Sequence, residues 1–143
     1  MRLSMKTDYG LRALVDLAER YGQGPVQSAE IAARQNIPEY YLDQLLIALR
    51  RAGLVRSARG PQGGHMLARP AHEITAYDVI VALEGSLAPL SCLEDTPQDG
   101  TDTGLQYVWR RMREAIEPVL RSITIAELLE RQRMREARLV WAI

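Results

Sequence analysis

Residues 28–69 read SAEIAARQNIPEYYLDQLLIALRRAGLVRSARGPQGGHMLAR, and this stretch decides the fold. Ser28 is a candidate N-cap for a short helix through Gln35, with Glu30 in the first turn favoured by the helix dipole. Asn36 tolerates the left-handed conformation of a tight turn. Pro38 suits the first position of the next helix, where its missing N–H costs nothing. Leu42, Leu45, Leu46 and Leu49 then recur at the i, i+3, i+4, i+7 spacing, which gives that helix one apolar stripe through to Ala52. Gly53 supplies a left-handed residue past its end, so that Leu54 can fold back on Leu49. Two short β-capable segments, 55–59 and 65–69, flank Gly60-Pro61-Gln62-Gly63-Gly64, the composition of a hairpin with a glycine-rich tip. Helix, tight turn, helix, hairpin is the order of a winged helix-turn-helix, whose second helix enters the major groove of DNA.

Working outward, Tyr9, Ala13, Leu14, Leu17, Ala18 and Tyr21 predict an amphipathic helix over 4–21, ended by Gly22 and Gly24-Pro25. Downstream, Thr75 and Asp78 resemble a capping box for a helix through Leu83, which Gly85 stops. Residues 86–104 hold prolines, glycines and four acidic residues without periodicity, the pattern of an exposed loop. The series Leu105, Val108/Trp109, Met112, Ile116, Val119/Leu120, Ile123 marks a long helix with an apolar stripe, which Pro118 should kink. Thr124 with Glu127 reads as another capping box, and Ile123 with Leu128 as a hydrophobic staple, for a last, arginine-rich helix. The expected fold class is mostly α with a small β-hairpin: a winged helix-turn-helix domain over 1–85, a sensor-like exposed loop over 86–104, and a dimerisation helix plus C-terminal helix over 105–143.

The chain has 143 residues, 47% hydrophobic and 25% charged, the profile of an ordinary globular protein and not of a disordered one. No unbroken apolar stretch exceeds five residues, which excludes a transmembrane helix. Arg2, Lys6, Asp8 and Arg12 break up the start, so no secretory signal is expected, and a single cysteine, Cys92, makes a cytoplasmic location the default. The zero net charge hides an asymmetry: residues 1–70 carry ten Lys/Arg against six Asp/Glu, and residues 71–143 eight against twelve. One half is thus suited to an anion. An enzyme is not expected, because a lone cysteine with His65 and His72 beside the hairpin makes no recognisable triad or metal site.

The side of the second helix opposite its leucines presents Tyr40, Asp43, Gln44, Ile47 and Arg51. Gln44 can make a bidentate contact to adenine, Asp43 can accept from cytosine N4, and Ile47 can touch a thymine methyl. Arg50, Arg51 and Arg56 flank this face and can neutralise phosphates. Arg59 on the hairpin suits a narrow minor groove, and Gly63 and Gly64 would allow close backbone approach to the duplex. The alternative from another class is a winged-helix protein-interaction module without DNA binding; the basic first half and the arginine-bearing hairpin argue against it.

The start MRLSMKTDYGLRAL, the run IAARQNIPEYYLDQLL and the block LRRAGLVRSARGPQGGHMLAR closely resemble the IscR/NsrR/CymR family of bacterial winged-helix transcriptional regulators. The resemblance extends from Met1 to about Glu130, with RGPxGG its most specific piece. It implies a homodimer on a roughly palindromic operator of double-stranded DNA; a repressor that occludes a promoter is the expected mode of action. Carried over by position, it places Glu39, Tyr40, Tyr41, Asp43 and Gln44 on the recognition helix and Arg59 on the wing arginine; Ser28 is a further candidate DNA contact. Leu105, Trp109, Met112, Ile116 and Leu120 would form the dimer seam. Members that sense iron, nitric oxide or oxidants hold an iron–sulfur cluster with three cysteines in the loop before the dimer helix. Here Cys92 falls on the first ligand position, but Gln98 and Gly104 occupy the other two, and Tyr107 stands near where some members carry a histidine. Neither glutamine nor glycine supplies a thiolate, so no cofactor is expected. Cys92 is then structural, a redox sensor, or one ligand of a cluster completed by atypical donors. Some members lack a cluster and act through a protein partner from sulfur metabolism, so a metabolic-enzyme partner is a further expectation.

Overall fold

The computed structural model describes residues 4–85 and 104–141. Helix α1 (Met5–Glu19) is followed by α2 (Ser28–Gln35) and α3 (Glu39–Arg51), then by the hairpin strands β1 (Val55–Ala58) and β2 (Gly64–Leu67). A single 3-10 turn (Ala71–Glu73) leads into α4 (Ala76–Glu84); α5 (Leu105–Ser122) and α6 (Ile125–Trp141) complete the described chain. The expected class, mostly helical with one small hairpin, holds.

Local chemistry accounts for most boundaries. Asn36 is left-handed (φ 52°, ψ 50°) and lets the chain reverse between α2 and α3. At the end of α3 the Leu54 N–H reaches the Leu49 carbonyl and the Gly53 N–H the Arg50 carbonyl, both at 3.0 Å, with Gly53 at φ 77°. This is a Schellman motif, and it directs the chain straight into the wing. Thr75 Oγ1 accepts from the Asp78 N–H (3.1 Å) while the Asp78 carboxylate accepts from the Thr75 N–H (3.0 Å), so that capping box is complete.

Several expectations shift. Pro38 is the N-cap of α3 and not its first residue. Ser28 does not cap α2; Gln27 holds that position without a side-chain bond, and its carbonyl accepts the Glu30 and Ile31 N–H groups at 3.0 and 3.3 Å. The cause is a long-range pairing. Val26 and His65 exchange backbone bonds of 2.8 and 2.7 Å, which keeps the chain extended almost to residue 28. Tyr21 lies beyond α1 in the following turn and is exposed, outside the core stripe. The strands end earlier than expected, and α5 continues through Pro118 as one helix. The box at Thr124 is half-formed: its Oγ1 accepts from the Glu127 N–H (3.1 Å), but the Glu127 carboxylate is taken by Arg131.

One core joins α1, α2, α3, the hairpin, α4 and the start of α6. Leu14, Ile31, Leu42, Leu46, Leu49, Leu54, Ile74, Val79 and Ile125 are among its buried members. The expected division groups 105–143 together, yet Ile125 and Leu129 pack in this same core. Their anchor is a short bridge: the Ala76 N–H reaches the Ile123 carbonyl (2.8 Å) and the Ile125 N–H the Ile74 carbonyl (2.9 Å). Cys92 and Gln98, like all of 86–103, lie outside the described residues.

Candidate nucleic-acid interface

The four leucines of α3 face the core, so the opposite side of the helix must face solvent. Tyr40 is 78% exposed, and Glu39, Gln44, Arg50 and Arg51 are exposed beside it. Asp43 and Ile47 are half-buried at the edge of this face. Tyr41 is more constrained than a free reading residue. Its ring meets Tyr9 edge to face, with centroids 5.6 Å apart and planes at 79°. The Arg12 guanidinium lies 4.9 Å over the Tyr9 ring and donates to the Gln35 carbonyl at 2.9 Å. Helix α1 thereby braces both the end of α2 and the start of α3.

A second brace is ionic. Asp16 on α1 is 1% exposed, and Arg34 grips it with two bonds (Nε to Oδ2 3.0 Å, Nη2 to Oδ1 2.9 Å). Gln35 Nε2 adds a third bond at 3.1 Å, and Arg20 stands 3.4 Å away. A buried carboxylate so fully partnered fixes α2 against α1 and, through the Asn36 turn, the aim of α3. The Asp16 side chain also holds the Arg34 guanidinium above its ordinary pKa.

The wing supplies the remaining cations. Strands β1 and β2 pair antiparallel with Arg56 opposite Met66, Ser57 opposite His65 and Ala58 opposite Gly64. Arg56 and Arg59 are exposed, and with Arg51 they make no ion pair among the described residues. Arg50 reaches across to Ser57 Oγ at 3.3 Å. Gly63 and Gly64 also have a reason within the fold. Gly63 is buried, with no room for a Cβ beside the Ala58 carbonyl, and a Cβ on Gly64 (φ 150°) would stand 2.5 Å from the Val26 carbonyl oxygen. Their bareness is needed for the wing's own turn and its pairing to Val26, whatever else approaches them.

His65 went unassigned in the sequence, where nothing marks it. Its imidazole is half-buried, and Nδ1 is fully buried without a hydrogen-bond partner. Burial pushes its pKa below the usual imidazole value, Asp43 acts in the opposite direction, and Arg50 reinforces the lowering.

The residues expected at a dimer seam are arranged on α5 less simply than their spacing implies. Trp109, Met112, Ile116 and Leu120 are all half-buried within the subunit, and the side chain of Leu105 is not described. The neighbouring flank of the same apolar arc is open: Val108 is 46% and Val119 56% exposed. Both were in the periodic series, but spacing alone does not say which edge of a wide arc the subunit itself covers.

Residues 3–131 match the Rrf2 family, described as "Iron-dependent Transcriptional regulator". The chain belongs to the Rrf2 family. The HTH-type transcriptional regulator CymR of Bacillus subtilis is 41% identical over 128 residues, covering 90% of this chain and 89% of the relative. The solved structure of CymR, the global cysteine regulator of B. subtilis, superposes with a TM-score of 0.75 at 37% identity, covering 91% of this chain and 97% of that one. A structure of IscR from T. potens gives 0.73 at 42% identity, covering 92% and 88%. As a member of the Rrf2 family the chain is a DNA-binding transcriptional regulator with a winged-helix fold, and not an enzyme. Among the described residues no helix is long and apolar enough to cross a membrane.

The family description raises iron, for which the sequence offers a single thiolate, Cys92. The whole chain holds one cysteine, and among the described residues no three His, Cys, Asp or Glu side chains converge. Cluster iron is held chiefly by thiolates, so one per subunit leaves most positions to weaker donors.

Proposed function

We propose that this Rrf2 protein is a homodimeric repressor that occludes a promoter, seating two copies of α3 in successive major grooves of a palindromic operator without an iron–sulfur cluster. The observation that carries the reading is that Tyr40, Gln44, Arg50 and Arg51 of α3 and Arg56 and Arg59 of the wing are all exposed, with Arg50 of α3 reaching Ser57 on the wing strand. Gln44 is the adenine reader, Asp43 an acceptor for cytosine N4, and the arginines meet phosphates, with Arg59 at the minor groove. Glu39, Tyr40 and Tyr41 line the entry of the helix, and Ser28 opens the preceding one. The seam between subunits runs along the apolar arc of α5, with Val108, Met112 and Val119 at its open edge and Leu105, Trp109, Ile116 and Leu120 behind. Two such helices hold the half-sites about one helical turn apart.

Cys92 remains the redox candidate, and a signal that does not come through a cluster arrives there or through a protein partner such as a metabolic enzyme. The family's iron dependence favours a second reading, a cluster held by Cys92 and atypical ligands. Anaerobic purification with iron and acid-labile sulfide analysis, followed by selection of duplexes from a random library and footprinting, separates these readings. A protected palindrome bound by iron-free protein is the expected result. Stoichiometric iron and sulfide that vanish in Cys92→Ser would establish the cluster reading instead. A protein that selects no duplex would be an interaction module.

A further inference from the structure

Helix α5 is joined to the winged-helix body through α4 and the chain just ahead of it. The Thr75–Thr124 bridge makes the anchor, with the Ala76 N–H on the Ile123 carbonyl (2.8 Å) and the Ile125 N–H on the Ile74 carbonyl (2.9 Å). Beside it the Arg121 guanidinium lies over the Tyr77 ring, 3.8 Å from the centroid. The guanidinium is itself held: Nε donates to Glu117 Oε1 (2.9 Å), and Glu117 Oε2 accepts from Arg113 Nε (3.0 Å). Tyr77 is held as well, because it sits in the first turn of α4, which the Thr75–Asp78 capping box closes. The Asp78 carboxylate in turn stands 3.8 Å from Arg69, two residues past β2. One turn of α4 thus touches both the last turn of α5 and the exit of the wing.

We propose that Arg121 and Tyr77 are positioning residues for operator half-site spacing: their stack fixes the angle between α5 and the winged domain, and with it the distance between the two copies of α3. Two backbone bonds at one end of a helix leave it a hinge. A planar cation on a ring face resists tilting about that hinge, since the attraction is lost when the two slide apart. The restraint falls where the helix needs one. Pro118 cannot donate to the Glu114 carbonyl, and the Arg113–Glu117–Arg121 chain of side-chain bonds spans that gap in the backbone ladder. The lever is long. An 18-residue helix extends about 27 Å, so a tilt of about 10° about one end moves the other by about 5 Å, roughly one and a half base-pair steps. Neither residue needs to touch DNA for this; both act through the placement of α3.

This inference rests on the reading of the chain as a dimer on a two-armed operator, and the test keeps the two apart. A duplex selected by the native protein from a random library is compared with duplexes that carry one base pair more or fewer between the arms, and with a duplex that keeps one arm only. Sedimentation follows the dimer in the same samples. A cation–π stack at an exposed site contributes about threefold to an equilibrium, so the two subunits together give about tenfold. The preference for the selected spacing over the altered ones should therefore fall about tenfold in Tyr77→Leu and in Arg121→Ala, while one-armed affinity and the dimer stay native. Tyr77→Phe keeps the ring face and should keep the native preference. A native preference in Tyr77→Leu or Arg121→Ala, a one-armed affinity that falls as well, a dissociated dimer, or a Tyr77→Phe protein that behaves like Tyr77→Leu would each overturn the proposal. A native protein that selects no two-armed duplex would overturn the operator reading, and this inference with it.

Discussion

Asp16 shows how much one buried side chain directs in this protein. It touches Arg34, Gln35 and Arg20, and it alone accepts the two-pronged Arg34 fork among the described hydrogen bonds. Asp16→Ala should lower stability by about 2–3 kcal/mol in urea unfolding. That figure lies below the range for a fully buried pair because the Arg34 side chain is 34% exposed. An undiminished midpoint would show that α2 is held by packing alone. Titrating groups act at this scale too. Glu84 accepts from Ser4 and from Thr7 (3.0 Å), and these bonds hold its carboxyl below the usual value. A lowered carboxyl pKa contributes stability that is present above the unfolded value and lost as pH falls through the folded one. His65 follows the same direction, since its folded pKa is also lowered: below about pH 6.5 the unfolded chain takes up the proton first. Thermal melts of the native protein should therefore fall as pH drops below about 6.5 and fall again near the carboxylate range, with the first step absent in His65→Gln. At the DNA face, Gln44→Ala should cost about 1–3 kcal/mol at one base pair and relax preference there, measured with singly substituted operators. Uniform weakening on every duplex would make Gln44 a phosphate-side contact.

Among the elements, α5 carries the clearest test. Val108 and Val119 are exposed, so charges placed there leave the subunit core intact. Val108→Asp with Val119→Asp should convert a sedimenting dimer to monomer and weaken operator binding with it, because each half-site then binds alone. A dimer that persists places the seam elsewhere. The elements also show what could be read in advance. The Schellman end of α3 and the Thr75 box were legible because their partners lie within six residues of one another. The leucine stripe was legible because burial repeats with the helical period. Ser28 was misplaced as a cap because the residue that holds the chain extended, Val26, pairs with His65 across the whole helix-turn-helix. The second capping box failed by competition, as Arg131 sits one turn along α6 and claims the Glu127 carboxylate. On α5 the spacing gave the arc but not which edge the subunit covers. Gly63 and Gly64 were recognised as special while their reason, contact with Ala58 and Val26, is tertiary.

At the scale of the whole molecule, the basic half of the sequence divides between cations left exposed and cations bound within the fold. Arg50, Arg51, Arg56 and Arg59 of α3 and the wing stay exposed, while Arg12, Arg20 and Arg34 are spent within the fold. If those four meet phosphates in both subunits, about eight contacts form, and each releases counterions. The direct measurement is the affinity for a selected duplex over a series of salt concentrations at fixed pH. The predicted slope of log K against log salt is roughly −7, from about −0.9 per contact. A slope near zero, or no duplex bound at low salt, would contradict the account.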